Sequence, residues 1–121
     1  MKKFVLTVDD SRTIREMVGF TLKNAGFEVL EAEDGVQALE LLKTNQPDVI
    51  ITDLNMPNMD GLTLIKHIRE LAKFKSTPIL MLTTEYTDEK KAAGREAGAT
   101  GWLVKPFNPE KLLQVLGKVC P

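Results

Sequence analysis

Short β-rich segments alternate regularly with amphipathic helical segments along this chain, and no other sequence feature constrains the fold as strongly. The β-rich segments are residues 4–8, 27–32, 48–53, 78–83 and 101–104. Apolar residues recur at helical spacing after each of them. In the first helical segment, the residues predicted to face the core are Ile14, Met17, Val18, Leu22 and Ala25. Five strands, each followed by a helix, predict a doubly wound (βα)5 domain, an α/β three-layer sandwich with helices on both faces of a parallel five-stranded sheet.

Capping residues mark the ends of the predicted helices. Gly26 and Gly98 are predicted to end the first and fourth helices, because glycine readily adopts the left-handed conformation that often follows a helix. Asp60, Thr87 and Asn108 are predicted to cap the third, fourth and fifth helices, each accepting a hydrogen bond from a free backbone amide. These signals keep the links between strands and helices short.

Composition and charge exclude several classes of protein. A chain of 121 residues, with 43% hydrophobic and 27% charged residues, suits one globular domain, which we assign to residues 1–121. The formal net charge is -1 and the basic residues are spread along the chain, so we predict no nucleic-acid partner. The single cysteine, Cys120, excludes an internal disulfide and suits a reducing compartment. No apolar segment is long enough to span a membrane, so we predict a cytoplasmic protein with no membrane partner.

Polar side chains stand at the carboxyl end of every predicted strand, although Glu33 and Asp34 after the second strand could as easily begin its helix. Asp9 and Asp10 follow the first strand, Asp53 ends the third, Thr83 ends the fourth and Lys105 follows the fifth. The carboxyl ends of parallel strands share one edge of the sheet, so these side chains are predicted to meet there. Any one aspartate after a strand is as readily explained as a helix cap or turn residue. That explanation does not account for a hydroxyl and an ammonium at the same edge.

The predicted acidic cluster indicates a divalent cation. Two unit charges about 4 Å apart repel by roughly 4 kcal/mol at an effective dielectric constant of about 20. Oxygen ligands without histidine or cysteine favour Mg²⁺ over zinc. Together with Lys105 and Thr83, such a site suits a phosphoryl group. Because the chain has no glycine-rich GxxxxGK[ST] loop to hold a nucleotide, a phosphorylated aspartate is the simpler interpretation.

Five motifs in the same order resemble the receiver domains of bacterial response regulators, in particular those that act alone in chemotaxis. The resemblance covers essentially the whole chain. Each motif is weak by itself, but all five in register are a strong signal. The motifs are Val8-Asp9-Asp10-Ser11, Asp53-Leu54-Asn55-Met56-Pro57 with Asp60-Gly61, Leu82-Thr83-Thr84-Glu85, Ala97-Gly98-Ala99 and Val104-Lys105-Pro106-Phe107.

The resemblance implies a flavodoxin-like sheet with strand order 2-1-3-4-5. It also implies that Asp53 accepts a phosphoryl group from a CheA-like histidine kinase. Asp10, Asp53 and the backbone carbonyl of Asn55 are the implied Mg²⁺ ligands, and Asp9 is implied to act through a bound water. Lys105 and the Thr83 hydroxyl are implied to bind phosphoryl oxygens. The Lys105-Pro106 peptide bond is expected to be cis.

Further roles carried over from the family concern switching and hydrolysis. Thr83 is implied to move toward the phosphoryl group, with an aromatic residue at position 102 following it. This chain has Trp102 where the family usually has Tyr, Phe or His. We therefore predict that Trp102 either turns inward only partly or stays outside as a contact for a partner. Asn55 and Glu85 are implied to tune hydrolysis of the acyl phosphate, and Thr84 is predicted to slow access to Asp53.

The fourth helix has few apolar anchors and contains Gly94, so we predict that it is the loosest helix. The output face is predicted on this helix, the fifth strand and the fifth helix.

The predicted function is that of a stand-alone receiver without an output domain, a monomer that binds partners in a phosphorylation-dependent way. The predicted partners are a histidine kinase and, by resemblance, a flagellar motor switch protein. The protein is predicted to be a signalling phosphoacceptor, which assists its own phosphorylation and dephosphorylation, and not an enzyme. An alternative is a phosphorelay intermediate or phosphate sink.

Two other classes share the fold or the chemistry. A Mg²⁺-dependent phosphatase of the haloacid dehalogenase type requires a second acid two residues after a nucleophile at the end of the first strand, where this chain has Ser11. A flavodoxin-type flavin carrier requires a hydroxyl- and glycine-rich phosphate loop after the first strand, which is absent.

Overall fold

Strands and helices alternate throughout the part of the chain that the structure, a computed structural model, describes, which is residues 3–120. Residues 1, 2 and 121 of the predicted domain lie outside this range. The strands are β1 (Phe4–Val8), β2 (Glu28–Ala32), β3 (Val49–Thr52), β4 (Ile79–Thr83) and β5 (Gly101–Val104). The helices are α1 (Arg12–Asn24), α2 (Gly35–Leu42), α3 (Gly61–Glu70), α4 (Asp88–Ala97) and α5 (Pro109–Val119). A short 3-10 turn, Ala72–Phe74, which was not predicted, follows α3.

The strands form one parallel sheet in the order β2-β1-β3-β4-β5, as the resemblance implied. The register aligns Val8 with Thr52 across β1 and β3, and Thr83 with Val104 across β4 and β5. As a result, β1, β3, β4 and β5 end at one edge of the sheet. The residues that follow them become neighbours although they are far apart in the chain.

Two hydrophobic cores fill the space on either side of the sheet, because successive side chains of a strand point to opposite faces. Val5 belongs to the core that contains Val18 and Leu22 of α1. Leu6 belongs to the other core, which contains Leu64 of α3. The first core also includes residues of α5, and the second includes residues of α2 and α4. The molecule is therefore the three-layer sandwich that the alternating pattern predicts.

Side-chain caps begin all five helices in the described range. Asp60, Thr87 and Asn108 cap α3, α4 and α5 as predicted, and Asp60 accepts from the Thr63 amide at 2.8 Å. Ser11 and Asp34 cap α1 and α2 in the same way. These caps satisfy backbone amides that have no partner within their helices. At the other end of α4, Gly98 has φ 112°, the left-handed conformation that the sequence indicates.

Two apolar residues that were expected in the core are exposed. Met17 has 44% of its surface accessible, and Ala25 is also exposed, so the buried stripe of α1 is narrower than predicted. Leu71, which ends α3, is 39% exposed. Helical spacing fixes the direction of an apolar stripe but not its width, which depends on the neighbouring helices.

Arg69 of α3 ties together segments that are distant in the chain. Its Nε and Nη2 donate to the Gly98 carbonyl oxygen at 3.0 and 2.8 Å. Its Nη1 donates to the carbonyl oxygens of Phe74 and Thr77 at 2.6 and 2.7 Å. The carboxyl-terminal end of α4 is therefore fastened to α3 and to the segment that enters β4.

Candidate functional site

The acidic side chains that follow β1 and β3 meet at the carboxyl edge of the sheet. Carboxylate oxygens of Asp9, Asp10 and Asp53 all lie within 4.8 Å of one another. Asp9 and Asp53 are buried, with 2% and 8% of their surface exposed, whereas Asp10 is exposed. A hard divalent cation fits this set, because the donors are oxygens and one side of the cluster is open to solvent.

Lys105 bridges two of these carboxylates. Its Nζ donates to Asp9 Oδ2 at 2.9 Å and to Asp53 Oδ2 at 3.1 Å, and only 12% of its side chain is exposed. Burial lowers the pKa of Lys105, but the two hydrogen bonds outweigh burial and hold that pKa above its ordinary value. The ammonium therefore stays charged at neutral pH and offsets part of the repulsion between the carboxylates.

Asp9 is held more firmly than the other two acids. Its Oδ1 accepts from the Ser11 amide at 2.9 Å, its amide donates to the Ala32 carbonyl oxygen at 3.1 Å, and Lys105 holds its other carboxylate oxygen. Burial raises the pKa of Asp9, although the hydrogen bonds from Ser11 and Lys105 act in the opposite direction. Asp53 Oδ1 accepts from the Leu54 amide at 2.7 Å.

Glu85 joins three of the predicted site residues. Its amide donates to Thr83 Oγ1 at 3.3 Å, and its carbonyl oxygen accepts from Trp102 Nε1 at 2.8 Å. Its side chain accepts from Asn55 Nδ2 at 3.4 Å, a long hydrogen bond. Thr83 is fully buried, and its hydroxyl oxygen accepts from the Glu85 amide.

The loop that follows β3 is tied to the loop that follows β2. Asn58, which has φ 68°, donates from Nδ2 to Asp34 Oδ2 at 2.8 Å. Hydrogen bonds from the Gln37 amide and from Asn58 hold the pKa of Asp34 below its ordinary value. A Cβ at Gly35 would lie 2.9 Å from the side chain of Met59, so the two loops pack closely. Asn55 belongs to the loop that these contacts hold.

The profile of the response regulator receiver domain family matches residues 5–117. The chain belongs to this family. The receiver is 47% identical to the chemotaxis protein CheY1 of Helicobacter pylori, over 93% of this chain and 96% of that protein. It is 45% identical to a chemotaxis protein CheY homolog of Campylobacter jejuni, over 93% of this chain and 92% of that protein.

Solved structures agree with this membership. The receiver superposes on the chemotaxis response regulator CheY4 of Vibrio cholerae with a TM-score of 0.94, at 54% identity, over 98% of this chain and 99% of that chain. A putative response regulator from Chloroflexus aurantiacus gives a TM-score of 0.94 at 40% identity, over 98% of both chains. The general role of the family is to accept a phosphoryl group from a histidine kinase. Within residues 3–120 of this receiver, no helix is long and apolar enough to cross a membrane.

The structure brings most of the predicted site residues together. Asp9, Asp10, Asp53 and Lys105 form one cluster, and the Lys105-Pro106 bond is cis, as expected. Thr84 is exposed at the start of the loop after β4. The remaining predicted residues, Thr83, Asn55 and Trp102, are connected to one another through Glu85.

Two further features of the site were not predicted. Arg15 of α1 donates to the backbone carbonyl oxygen of Asp9, a contact that α-helical spacing alone does not reveal. Gly94, which we interpreted only as a weak point of α4, faces Trp102: a Cβ at Gly94 would lie 2.5 Å from Trp102 Cζ3. The glycine therefore makes room for the indole ring of the half-buried Trp102.

Replacing Gly94 with alanine is expected to lower the free energy of unfolding by about 1 kcal/mol. Alanine favours a helix by about 1 kcal/mol, but overpacking against a ring that is fixed by its bond to Glu85 costs about 1–3 kcal/mol. Urea denaturation measures the change, and we also expect a red shift of Trp102 fluorescence as the ring moves outward. In a Trp102→Val background, the same replacement should become stabilising. An equal loss in both backgrounds would contradict the contact.

Replacing Lys105 with methionine is expected to destabilise the metal-free receiver by about 2 kcal/mol. The substitution leaves Asp9 and Asp53 close together without their shared cation, which is costly for groups that are largely removed from water. We expect saturating Mg²⁺ to restore most of the loss. Denaturation midpoints in EDTA and in Mg²⁺ measure both quantities. The exposed Lys118 of α5 provides the control, because Lys118→Met should change neither midpoint appreciably. Equal destabilisation by Lys105→Met in the two buffers would argue against this account.

Proposed function

We propose that this receiver accepts a phosphoryl group on Asp53 from a histidine kinase and signals by phosphorylation-dependent binding of a partner. The single observation that carries the proposal is the bridge of Lys105 between Asp9 and Asp53 beside the exposed Asp10. This arrangement places a nucleophile, a cation and spare metal-binding oxygens at one open edge of the sheet. A purely structural cluster of charges has no need for this combination.

The proposed reaction is a phosphoryl transfer to a carboxylate. A carboxylate oxygen of Asp53 attacks the phosphorus atom of a phosphohistidine. The new O–P bond forms as the P–N bond breaks, and the imidazole nitrogen retains the electron pair of that bond. Asp10, Asp53 and the backbone carbonyl of Asn55 would hold Mg²⁺, and Asp9 would act through a water. When bound, this ion neutralises charge on the transferring group.

The remaining residues act on the phosphoryl group and on its removal. After the transfer, Lys105 donates to a phosphoryl oxygen in place of the carboxylate oxygen of Asp53. Thr83 donates its hydroxyl proton to another phosphoryl oxygen. Thr83 is linked through Glu85 to Trp102, so a shift of Thr83 reaches the indole ring. Asn55 and Glu85 line the approach of a hydrolytic water, and the exposed Thr84 restricts access to Asp53.

The partners follow from the named relatives. The relatives in Helicobacter pylori and Campylobacter jejuni are chemotaxis proteins, which supports a chemotaxis kinase as the donor and a motor switch protein as one target. We propose that the receiver works as a cytoplasmic monomer and that its output face comprises α4, β5 and α5. It is a signalling phosphoacceptor that takes part in its own phosphorylation and dephosphorylation.

The proposal is tested by incubating the purified protein with acetyl phosphate and following its intact mass. With Mg²⁺ we expect one phosphoryl group per chain, and with EDTA we expect essentially none. Trp102 fluorescence recorded in the same samples reports whether phosphorylation reaches β5. Absence of any phosphorylated species in Mg²⁺ would refute the proposed function. An unchanged Trp102 signal in a phosphorylated sample would refute only the proposed coupling.

A further inference from the structure

Arg15 contacts the backbone of the acidic cluster, and most of its side chain is removed from solvent. It belongs to the first turns of α1, and only 11% of its side chain is exposed. Its Nη1 donates to the backbone carbonyl oxygen of Asp9 at 2.6 Å, and its Nε lies 3.3 Å from Glu31 Oε1 on β2. Burial of a guanidinium is costly unless its donors are used, so this placement calls for an explanation.

The bond from Arg15 completes the set of contacts that immobilise Asp9. The amide of Asp9 is bound to Ala32, its carboxylate to Ser11 and Lys105, and its carbonyl oxygen to Arg15. Thus every polar group of Asp9 is engaged. Among these contacts, the one from Arg15 is the only one that acts on the peptide unit leading to the next residue.

That peptide unit determines the position of the Asp10 backbone. The carbonyl oxygen of Asp9 and the amide nitrogen of Asp10 belong to one planar group. Holding the oxygen therefore restrains the orientation of the plane and the position of the Asp10 Cα atom, from which the side chain extends. Asp10 itself is exposed, so its position depends on its backbone more than on packing.

We propose that Arg15 is a positioning residue for the cation site: by holding the Asp9 carbonyl oxygen, it aims the Asp10 carboxylate at the ion. Glu31 acts through Arg15, because its carboxylate holds the guanidinium in place from the edge strand. This inference rests on the proposed function in one respect, namely that Asp10 is a ligand of Mg²⁺.

Two physical effects of removing Arg15 have opposite signs, which makes the proposal testable. Arg15 is a cation close to a cation site, so loss of its charge alone would tighten Mg²⁺ binding. Loss of its hydrogen bond to Asp9 would loosen binding, because residues that orient metal ligands typically contribute 10–100-fold to affinity. The direction of the change therefore separates positioning from simple electrostatics.

The experiment is calorimetric titration of the unphosphorylated protein with MgCl₂. We expect Arg15→Gln to raise the Mg²⁺ dissociation constant about tenfold, and Glu31→Gln to raise it by less. Arg15→Lys keeps the charge and one donor, so it should recover part of the affinity. Arg12→Gln is the matched control. Arg12 lies nearer to Asp10 in sequence, but its side chain is 84% exposed and pairs with Glu16, so its loss should change the constant less than about twofold.

A second readout needs no metal. In amide NMR spectra of the metal-free protein, Arg15→Gln should shift the Asp10 amide resonance, and Arg12→Gln should leave it nearly unchanged. Unchanged or tighter Mg²⁺ binding in Arg15→Gln, with normal binding by the parent protein, would overturn the positioning role alone. A parent protein that does not bind Mg²⁺ would overturn the proposed function as well. If Arg15→Gln does not fold, then Arg15→Lys and Glu31→Gln decide, and parental affinity in both would refute the proposal.

Discussion

Replacing Asp53 with asparagine is expected to abolish phosphorylation by acetyl phosphate, with at least a hundredfold loss of the phosphorylated species. Asparagine has the shape of aspartate but is not a nucleophile, so the change removes the chemistry and spares the packing. Its side-chain oxygen can still accept from the Leu54 amide, and Lys105 keeps its bond to Asp9. Intact mass after incubation with acetyl phosphate and Mg²⁺ measures the loss.

The stability of this variant provides a second check. Three carboxylates and one ammonium leave the parent site with a net charge of about -2 (three negative charges and one positive). Asparagine lowers that repulsion, so the metal-free variant should be at least as stable as the parent, and Mg²⁺ should stabilise it less. Asp60→Asn is the matched control, because asparagine also caps a helix and Asp60 lies in the loop region after the same strand. Parental labelling of Asp53→Asn would place the acceptor elsewhere.

Replacing Gly61 with alanine is expected to lower the free energy of unfolding by about 3 kcal/mol, the upper part of the usual range for overpacking. A Cβ at this position would collide with the Asp53 carbonyl oxygen and lie 3.0 Å from Leu54 Cα. Both are backbone atoms that cannot rotate away. The Gly61 amide also donates to the Leu54 carbonyl oxygen at 2.7 Å, so the first turn of α3 is held against the end of β3. Urea denaturation measures the loss.

The same substitution should slow phosphorylation, because relief of the collision displaces the backbone of Asp53. Gly117→Ala in α5 is the control. Apart from its chain neighbours and the backbone of its own helix, no heavy atom of residues 3–120 lies within 4 Å of a Cβ at Gly117, so alanine there should stabilise the helix by up to about 1 kcal/mol. If Gly61→Ala and Gly117→Ala had similar effects on the free energy of unfolding, the predicted close packing of α3 against the end of β3 would be contradicted.

The sequence predicts the parts of this molecule that depend on local pattern. Alternation of apolar segments locates the strands, and Asp60, Thr87 and Asn108 mark helix starts because capping depends on residues only three positions apart. The convergence of Asp53 and Lys105 follows from the parallel sheet alone. The strand order 2-1-3-4-5 does not, and it was available only from the family resemblance.

Contacts between distant segments escape prediction from a single sequence. Arg69 reaches Gly98, which is 29 residues away, and Arg15 reaches both Asp9 and the edge strand β2. In both cases a long arginine side chain donates to backbone carbonyl oxygens of a loop. The position of each arginine in its helix sequence does not distinguish it from an ordinary surface arginine. The contact between Gly94 and Trp102 is a similar case. The sequence alone does not show why residue 94 is a glycine, because the reason is the indole ring that packs against it.

The hydrogen bonds from Arg69 hold the carboxyl-terminal end of α4 at Gly98. At the opposite end, α4 begins after residues 83–86, where the Glu85 amide donates to Thr83 and the Glu85 carbonyl oxygen accepts from Trp102. A helix of 10 residues is about 15 Å long at 1.5 Å per residue. A pivot of about ten degrees about Gly98 would therefore move the first turn of α4 by roughly 2.6 Å. We therefore expect a displacement of Thr83 to move Thr87 more than Gly98, so that a partner bound at the first turn of α4 would detect the largest change.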